Sequence, residues 1–292
     1  MRTPPRVMPA LITPFGEEGR LDLGAHHDNV GILWQRGVAG VAVGGSNGEG
    51  PYLEPSERHA LAAVARRAAP DAFILVGVAA ETLRGAIEMA AEAARGGADA
   101  LLVMTPSSLV RYRSDLMEGF YRDLAAVAGL PIFLYSVPRV TAVEIPLEAA
   151  LRLARVEGIV GMKDSGGDPV RCATLASQAG NGFCVFAGSS AAIAPAMAGG
   201  PVHGALTGSV NYAPELVAEV VAAAGTDASQ GPHDRLVRLS AAIEQHGVAG
   251  VKYAAERAGL TSRLPRLPLR PIDEAARRSI DAALAEAGVP TR

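Results

Sequence analysis

Residues 73–104 have the sequence FILVGVAAETLRGAIEMAAEAARGGADALLVM. Two short apolar runs, at residues 73–76 and 100–104, flank a longer amphipathic segment that begins at Thr82 and closes on Gly96. Runs that are apolar throughout predict parallel strands buried on both faces, whereas a threonine cap, helical spacing and a closing glycine predict a helix. The stretch therefore predicts one strand–helix–strand unit of a parallel sheet.

The same alternation continues through most of the chain. Strands are predicted at residues 7–12, 38–43, 73–76, 100–104, 132–135, 159–163, 183–187 and 204–207. Intervening helices are predicted at residues 54–69, 82–96, 113–128, 146–154 and 169–179. Eight such strands indicate an α/β fold, the (β/α)8 TIM barrel. A doubly wound open sheet is the competing architecture because it has the same alternation, and the strand count favours the barrel.

Further helical segments follow the eighth strand, at residues 214–224, 234–246 and 273–287. They exceed what a bare barrel needs, so we expect them to pack on its flank or to build an oligomer contact. The proline-rich residues 264–271 indicate a semi-rigid connector. We predict a catalytic barrel over residues 1–212 and, over residues 213–292, the last barrel helix with a C-terminal helical extension.

Composition narrows the class of partner. The 292 residues carry a net charge of −3, which disfavours nucleic acid and anionic membranes and leaves a small molecule. No export signal and no apolar stretch long enough to cross a bilayer is visible, so we expect a cytoplasmic location. Cys172 and Cys184 are too few for a disulfide framework, and the six histidines lack metal-ligand spacing. We expect neither a metal nor another cofactor.

Lysine is rare in this chain. Only two of the 27 basic residues are lysines, and Lys163 ends a predicted strand, where its amine would lie at the mouth of the barrel. Period-two alternation places Ile159, Gly161 and Lys163 on one face, and the missing side chain at Gly161 leaves room beneath the amine. Burial favours a neutral amine, which can attack a ketone to form a Schiff base, whereas an arginine stays protonated.

Position alone leaves a second interpretation of Lys163 open. It can cap the strand and pair with Asp164 at the surface, since lysines at barrel strand ends have several uses. The other lysine, Lys252, follows Gly250 and Val251 and is interpreted as a solvated helix residue.

Two further features lie at the ends of predicted strands. Residues 44–50, GGSNGEG, lack the spacing of a nucleotide-binding loop. Their glycines allow a concave nest whose N–H groups, with the Ser46 hydroxyl, can hold a carboxylate, although a purely steric tight loop remains the alternative. Tyr135 ends the fifth predicted strand, where its hydroxyl can transfer protons or, alternatively, only pack and hydrogen-bond.

Several motifs resemble, in order and spacing over nearly the whole chain, those of the pyruvate-dependent class I aldolases that include dihydrodipicolinate synthase and N-acetylneuraminate lyase. They are ALITPF (10–15), GSNGE (45–49), YSVP (135–138), GMKDSGGD (161–168) and RLP (266–268). Within that family GSNGE, YSVP, GMKDSGGD and AGS (187–189) are most similar to the motifs of the 4-hydroxy-2-oxoglutarate aldolases. The resemblance implies a homotetramer built from tight dimers.

The resemblance also implies roles for individual residues. It implies Lys163 as the Schiff-base lysine, Tyr135 as the proton shuttle and Ser46 as a third catalytic residue. Ser46 and Asn47 would together cradle the substrate carboxylate. Additional substrate contacts are expected from Gly45, Ser165, Gly188 and the backbone of Leu206.

Two positions depart from the family pattern. At positions 107 and 108 the family places one or two tyrosines, and the second completes a proton relay across a subunit interface. This chain has Ser107 and Ser108 there instead. The relay is therefore cut, or rebuilt with Tyr112.

In dihydrodipicolinate synthase an arginine two residues after YNVP binds the carboxylate of the aldehyde. In this chain Val140 occupies that position and Arg139 lies one place earlier. We interpret this shift as evidence against lysine biosynthesis and against assuming a dicarboxylate substrate.

The sequence therefore predicts a carbon–carbon lyase that joins or cleaves a 2-oxo acid, such as pyruvate, and an aldehyde through a lysine Schiff base, in the manner of 4-hydroxy-2-oxoglutarate aldolase. The alternatives within the family are a 2-keto-3-deoxy sugar acid dehydratase and a dihydrodipicolinate synthase-like enzyme. The alternative from another class is a non-catalytic 2-oxo-acid binding paralogue. We expect a homo-oligomer, either a dimer or a tetramer.

Overall fold

A computed structural model describes residues 2–111, 113–262 and 264–292. All eight predicted strands are present. The strands are β1 Val7–Pro9, β2 Gly40–Val43, β3 Phe73–Val78, β4 Ala100–Met104, β5 Ile132–Ser136, β6 Ile159–Asp164, β7 Cys184–Ala187 and β8 Gly204–Thr207. The largest difference is at β1, which ends three residues before its predicted limit.

The strands form one parallel sheet that closes into a barrel. Their order is β1-β8-β7-β6-β5-β4-β3-β2, and a parallel bridge between Ala10 and Ala42 joins the remaining edges. The amide of Leu11 donates to the carbonyl of Ala42 at 2.9 Å. Because the sheet has no free edge, the prediction of a (β/α)8 barrel is confirmed and the open doubly wound sheet is wrong.

Each strand contributes side chains to two separate hydrophobic clusters. On β5, Phe133 and Tyr135 lie in the cluster inside the barrel, whereas Ile132 and Leu134 lie in the cluster between strands and helices. This division follows from the period of two along a strand. It places Tyr135 inside the barrel at its carboxyl end.

The described residues form twelve α-helices. These are α1 Leu23–Gln35, α2 Pro55–Ala68, α3 Leu83–Arg95, α4 Ser114–Ala125, α5 Pro138–Thr141, α6 Leu147–Leu153, α7 Pro169–Gln178, α8 Ile193–Gly199, α9 Pro214–Ala223, α10 Gln230–Glu244, α11 Gly247–Arg257 and α12 Glu274–Glu286. Side-chain caps begin several of them, such as Thr82, whose hydroxyl accepts from the Gly85 amide at 3.1 Å. Within the described ranges, no helix is both long and apolar enough to cross a membrane.

Every helix predicted from the sequence is present, and four more were not delimited. α5 and α8 have only four and seven residues, and α1 is weakly amphipathic. The sequence predicts a helix at Lys252 but not the bounds of α11. α10, α11 and α12 pack on one another, and α10 also packs on the barrel helix α9. The domain boundary at residue 212 stays a prediction.

β6 has an irregularity that the sequence pattern did not reveal. Its pairing with β5 shifts between Ile159 and Gly161, so Val160 is an extra residue in the strand. As a result Ile159 packs in the cluster between strands and helices, and the prediction that it shares a face with Gly161 is wrong. The space at Gly161 is filled by the ring of Phe133, since an added Cβ would lie 2.4 Å from that ring. Room for this ring, rather than for the lysine, explains the glycine.

The interpretation of Lys252 as a solvated residue is wrong. Its side chain is only 2% exposed, and its Nζ donates to Glu49 Oε1 at 2.7 Å and to the Leu264 carbonyl at 2.8 Å. The other oxygen of Glu49 accepts from the Arg266 amide at 2.7 Å. Lys252 and Glu49 are 203 positions apart, so local sequence could not indicate the pair. The pair ties α11 and its following connector to the loop after β2.

We predict that Gly161→Ala lowers the free energy of unfolding by about 1–3 kcal/mol, because the new methyl group would overlap Phe133 and the Cys184 carbonyl. Gly119→Ala in α4 is the matched control, since a Cβ there meets nothing within 4 Å. Alanine should stabilise that helix by about 0.5–1 kcal/mol. Urea unfolding measures both. A Gly161→Ala protein as stable as the parent would contradict this packing.

We predict that Lys252→Met lowers the free energy of unfolding by about 3–5 kcal/mol, because it leaves the buried Glu49 carboxylate without its cation. Arg278→Met is the control. Arg278 is 3.9 Å from Glu274 in an exposed pair, so its loss should change stability by less than about 0.5 kcal/mol. Equal losses from the two variants, measured by urea unfolding, would refute a stabilising role for the buried pair.

Candidate active site

A cavity of about 570 Å³ opens at the carboxyl ends of the strands, the end at which TIM barrels carry their active sites. The loop after β2, the ends of β5 and β6, the loop after β7 and the turn between α10 and α11 all contribute to its wall. The lining residues with reactive or polar groups include Ser46, Asn47, Tyr135, Arg139, Lys163, Ser165, Ser189 and Glu244. Within the described ranges, no group of three or more His, Cys, Asp or Glu side chains is placed to hold a metal ion.

Three predicted catalytic residues form one hydrogen-bonded row. The register of β5 and β6 sets Tyr135 opposite Lys163. Lys163 Nζ donates to Tyr135 Oη at 3.2 Å, and that oxygen lies 2.8 Å from Ser46 Oγ. Lys163 and Tyr135 are each 2% exposed. A phenol held between an amine and a second hydroxyl can pass a proton in either direction.

Asp164 does not pair with Lys163. Its carboxylate accepts from Arg171 Nε at 2.7 Å and from the Gly166 amide at 2.8 Å, and Arg171 also lies 3.6 Å from Glu144. Alternate residues of a strand point to opposite faces, so Asp164 points away from the cavity that Lys163 enters. The structure therefore does not support the alternative of a capping lysine paired with Asp164, and the amine remains directed at Tyr135.

The loop after β2 has the shape of an anion-binding nest. Gly44 has a φ of 65°, and a Cβ at Gly48 would lie 2.7 Å from the Leu11 carbonyl oxygen, so both positions require glycine. Within the described residues, the backbone N–H groups of Ser46 and Asn47 have no protein acceptor. Two free N–H groups beside the Ser46 hydroxyl can hold a carboxylate.

Arg58 in α2 fixes this loop, and sequence analysis missed it. Its buried guanidinium donates to the carbonyls of Gly50 at 2.6 Å, Leu53 at 2.6 Å and Gly77 at 3.0 Å. Burial lowers the pKa of Arg58 to about 10, so it stays protonated at neutral pH. The available signal was its helical spacing, since Arg58 lies on the same face as the buried Leu61.

Gly188 and Ser165 lie directly against the lysine. A Cβ at Gly188 would be 3.0 Å from Lys163 Cε and 2.2 Å from Ser165 Oγ. The Gly188 amide also donates to the Asp164 carbonyl at 2.7 Å. A side chain at position 188 would therefore displace Lys163 or Ser165, and glycine keeps the approach to the amine open.

Two predicted substrate contacts lie outside the cavity lining. Leu206 is fully buried in the cluster inside the barrel. The carbonyl oxygen of Gly45 accepts a hydrogen bond from the Gly50 amide at 2.9 Å, which supports the turn of the loop. A direct substrate contact by either residue stays a prediction.

Ser107 and Ser108 both bind Glu81 of their own chain, and the prediction that the relay across a subunit interface is cut or rebuilt stays a prediction. Their hydroxyls donate to the carboxylate of Glu81 at 3.0 Å and 2.6 Å, and their amides donate to the same carboxylate. They therefore hold Glu81 at the surface and do not extend the row of Ser46, Tyr135 and Lys163. Tyr112, the predicted replacement, lies outside the described residues.

The one-residue shift at Arg139 does not remove arginine from the site. Arg139 and Val140 both belong to the short helix α5, and both line the cavity. Consecutive helical residues point about 100° apart, so the guanidinium approaches the cavity from a different direction than an arginine at 140 would. A cation at the rim is available to an anionic or polar substrate.

Glu244 is a site residue that the sequence did not reveal. It ends α10 and lines the cavity, although it is 81 residues from Lys163 in the chain. Burial raises its pKa above the ordinary glutamate value, against the opposing effects of Arg139 and Lys163. No motif contains Glu244, and only the packing of the C-terminal helices brings it to the barrel.

Comparisons of sequence and of structure both find dihydrodipicolinate synthases. Residues 3–287 match the model of the Dihydrodipicolinate synthetase family. The chain is 34% identical to a 4-hydroxy-tetrahydrodipicolinate synthase of Nitrosospira multiformis, over 96% of this chain and 94% of that protein. It is 32% identical to the protein of the same name from Laribacter hongkongensis, over 96% and 97%.

Solved structures of dihydrodipicolinate synthases also resemble this chain. The dihydrodipicolinate synthase of Acinetobacter baumannii, crystallised with pyruvate, superposes with a TM-score of 0.92 at 28% identity, covering 98% of this chain and all of that one. A dihydrodipicolinate synthase of Bacillus anthracis gives 0.91 at 26%, covering 98% and 99%. These matches confirm the expectation of an enzyme, a carbon–carbon lyase that uses a lysine Schiff base. The chain belongs to the dihydrodipicolinate synthetase family.

Proposed function

We propose that this protein captures pyruvate, or a related 2-oxo acid, as a Schiff base on Lys163 and uses the resulting enamine in aldol addition or cleavage. One observation carries the proposal: Lys163 Nζ lies in the cavity 3.2 Å from Tyr135 Oη, which is itself 2.8 Å from Ser46 Oγ. The pyruvate bound to the similar Acinetobacter baumannii enzyme supports this choice of substrate.

In the proposed reaction the neutral amine of Lys163 attacks the C2 carbonyl carbon and gives a carbinolamine. Tyr135 protonates the departing hydroxyl, water leaves, and an iminium forms. Because the iminium withdraws electrons, a C3 proton is lost to give an enamine, which attacks an aldehyde. The aldehyde oxygen takes up a proton, and water hydrolyses the new iminium, which releases the product and restores the Lys163 amine. In the reverse direction the carbon–carbon bond breaks, the aldehyde leaves and the enamine takes up a proton. Tyr135 suits both proton transfers because its oxygen contacts both Nζ and Ser46.

The loop after β2 is proposed to hold the carboxylate of the 2-oxo acid. The free N–H groups of Ser46 and Asn47 and the Ser46 hydroxyl would each donate to it, which orients the ketone toward Lys163. Ser165 and Gly188 adjoin the lysine and would border the reacting carbon. A substrate contact from Gly45 or Leu206 would then involve backbone groups only.

The identity of the second substrate is a separate question. The comparisons do not support the specific assignment as a 4-hydroxy-2-oxoglutarate aldolase, because the similar proteins are named 4-hydroxy-tetrahydrodipicolinate synthase. Those names, and the presence of Arg139 at the cavity rim, favour a dihydrodipicolinate synthase-like condensation as the second candidate. The dehydratase and the non-catalytic paralogue would differ in product, since the first loses water with its carbon chain intact and the second forms no imine. A cytoplasmic location and a homotetramer also stay predictions.

We predict that borohydride reduction with pyruvate adds one covalent adduct per chain, and that peptide mass mapping places it on Lys163. Lys252 is an internal control because it is the only other lysine and is buried against Glu49. Lys163→Arg should abolish both the adduct and turnover, since arginine stays protonated. An adduct on Lys252, or turnover by Lys163→Arg, would contradict the proposal.

We predict that Tyr135→Phe lowers kcat by about 10²–10⁴-fold, because the variant loses the hydroxyl that bridges the amine and Ser46. Pyruvate should still be trapped by borohydride, but more slowly. Tyr253→Phe is the control, since that hydroxyl bonds Asp281 at 2.9 Å outside the cavity. Steady-state kinetics on the three proteins give the test, and a Tyr135→Phe enzyme with the kcat of the parent would rule out the proton role.

A further inference from the structure

The carboxylate of Glu244 faces the cavity without a partner. Within the described residues, only burial and the more distant charges of Arg139 and Lys163 act on it, and no hydrogen bond or ion pair reaches it. A half-buried carboxylate without donors carries a desolvation cost that a bound ligand can offset. Glu49, the other acidic residue of the wall, is already satisfied by Lys252 and the Arg266 amide.

The surroundings of Glu244 combine donors and acceptors. Gly208 lies between the side chains of Asn47 and Glu244, because a Cβ added there would be 2.6 Å from Asn47 Nδ2 and 3.7 Å from Glu244 Oε1. Arg139 lines the same cavity. An amide, a carboxylate and a guanidinium therefore surround the space next to the proposed carboxylate cradle.

The donors and acceptors around Glu244 favour some classes of ligand over others. A hydroxyl can donate to Glu244 and also accept from the Asn47 amide or from Arg139, so it satisfies both kinds of neighbour. A carboxylate could accept from Arg139 but would bring a second negative charge toward Glu244, which disfavours it. An ammonium could donate to Glu244 but would approach the guanidinium of Arg139, which lines the same cavity. A neutral hydroxyl fits best.

We propose that Glu244 determines the specificity for the second substrate, by accepting a hydrogen bond from a hydroxyl of a neutral hydroxyaldehyde and by excluding aldehydes that carry a carboxylate. This inference rests on the proposed function, since it concerns the aldehyde that the Lys163 enamine attacks. It adds a residue that lies in none of the motifs. It also disfavours the second candidate function, because the aldehyde of dihydrodipicolinate synthase carries a carboxylate.

The experiment compares glyceraldehyde with glyoxylate as the aldehyde, each with pyruvate. The values of kcat/KM are measured for the parent enzyme, for Glu244→Gln, and for Glu148→Gln, whose exposed side chain lies on α6 outside the cavity. Glutamine keeps the size and an acceptor oxygen but removes the charge. Borohydride trapping of pyruvate is run on every protein, so that a failure of imine formation is separated from a change in aldehyde selection.

We expect the parent and Glu148→Gln to prefer glyceraldehyde, and Glu244→Gln to shift the ratio of kcat/KM values toward glyoxylate by roughly tenfold or more, the size expected for a charged hydrogen bond. All three proteins should still trap pyruvate on Lys163. A parent enzyme that prefers glyoxylate or uses neither aldehyde, or an unchanged ratio in Glu244→Gln, would overturn the role of Glu244 while leaving the Schiff base intact. Absence of trapping in the parent would instead overturn the proposed function and, with it, this inference.

Discussion

The pairing of β5 with β6 sets the phenol of Tyr135 beside the amine of Lys163, and the remaining chemistry of the site depends on this contact. The register is fixed by the strands, and the extra residue at Val160 brings Gly161 and Lys163 to the inner face together. Closure of the barrel then brings the loop after β2 close enough for Ser46 to complete the row. An amine in this position is buried, directed at a proton carrier and accessible from one cavity.

The loop that completes the row is held by buried charges from distant parts of the chain. Arg58 binds its backbone carbonyls, and Glu49 binds Lys252 from the C-terminal helices. Buried ion pairs of this kind are costly to break and favour one arrangement over others. The C-terminal helices therefore do more than cover the barrel, because the same region that supplies Lys252 also carries Glu244 to the cavity.

The fold and the centre of the site could be predicted from sequence because they depend on local patterns. Apolar runs of strand length gave all eight strands, and the scarcity of lysine drew attention to Lys163. The predictions that failed concern contacts between residues that are far apart in the sequence or that depend on tertiary packing. Lys252 was interpreted as solvated because its partner is 203 residues away, and Glu244 was missed because helix packing alone places it. The prediction that Gly161 leaves room beneath the amine is wrong because the Phe133 ring fills that space, and no local pattern indicates this neighbour.

The most direct test of the account is a crystal structure of the protein after reaction with pyruvate. The account predicts continuous density from Lys163 Nζ to C2 of the ligand, with the ligand carboxylate within hydrogen-bonding distance of the backbone N–H groups of Ser46 and Asn47. Tyr135 Oη should lie next to the new carbon–nitrogen bond. Pyruvate bound in the cavity without a bond to Lys163, or with its carboxylate on Arg139 instead of the loop, would contradict it.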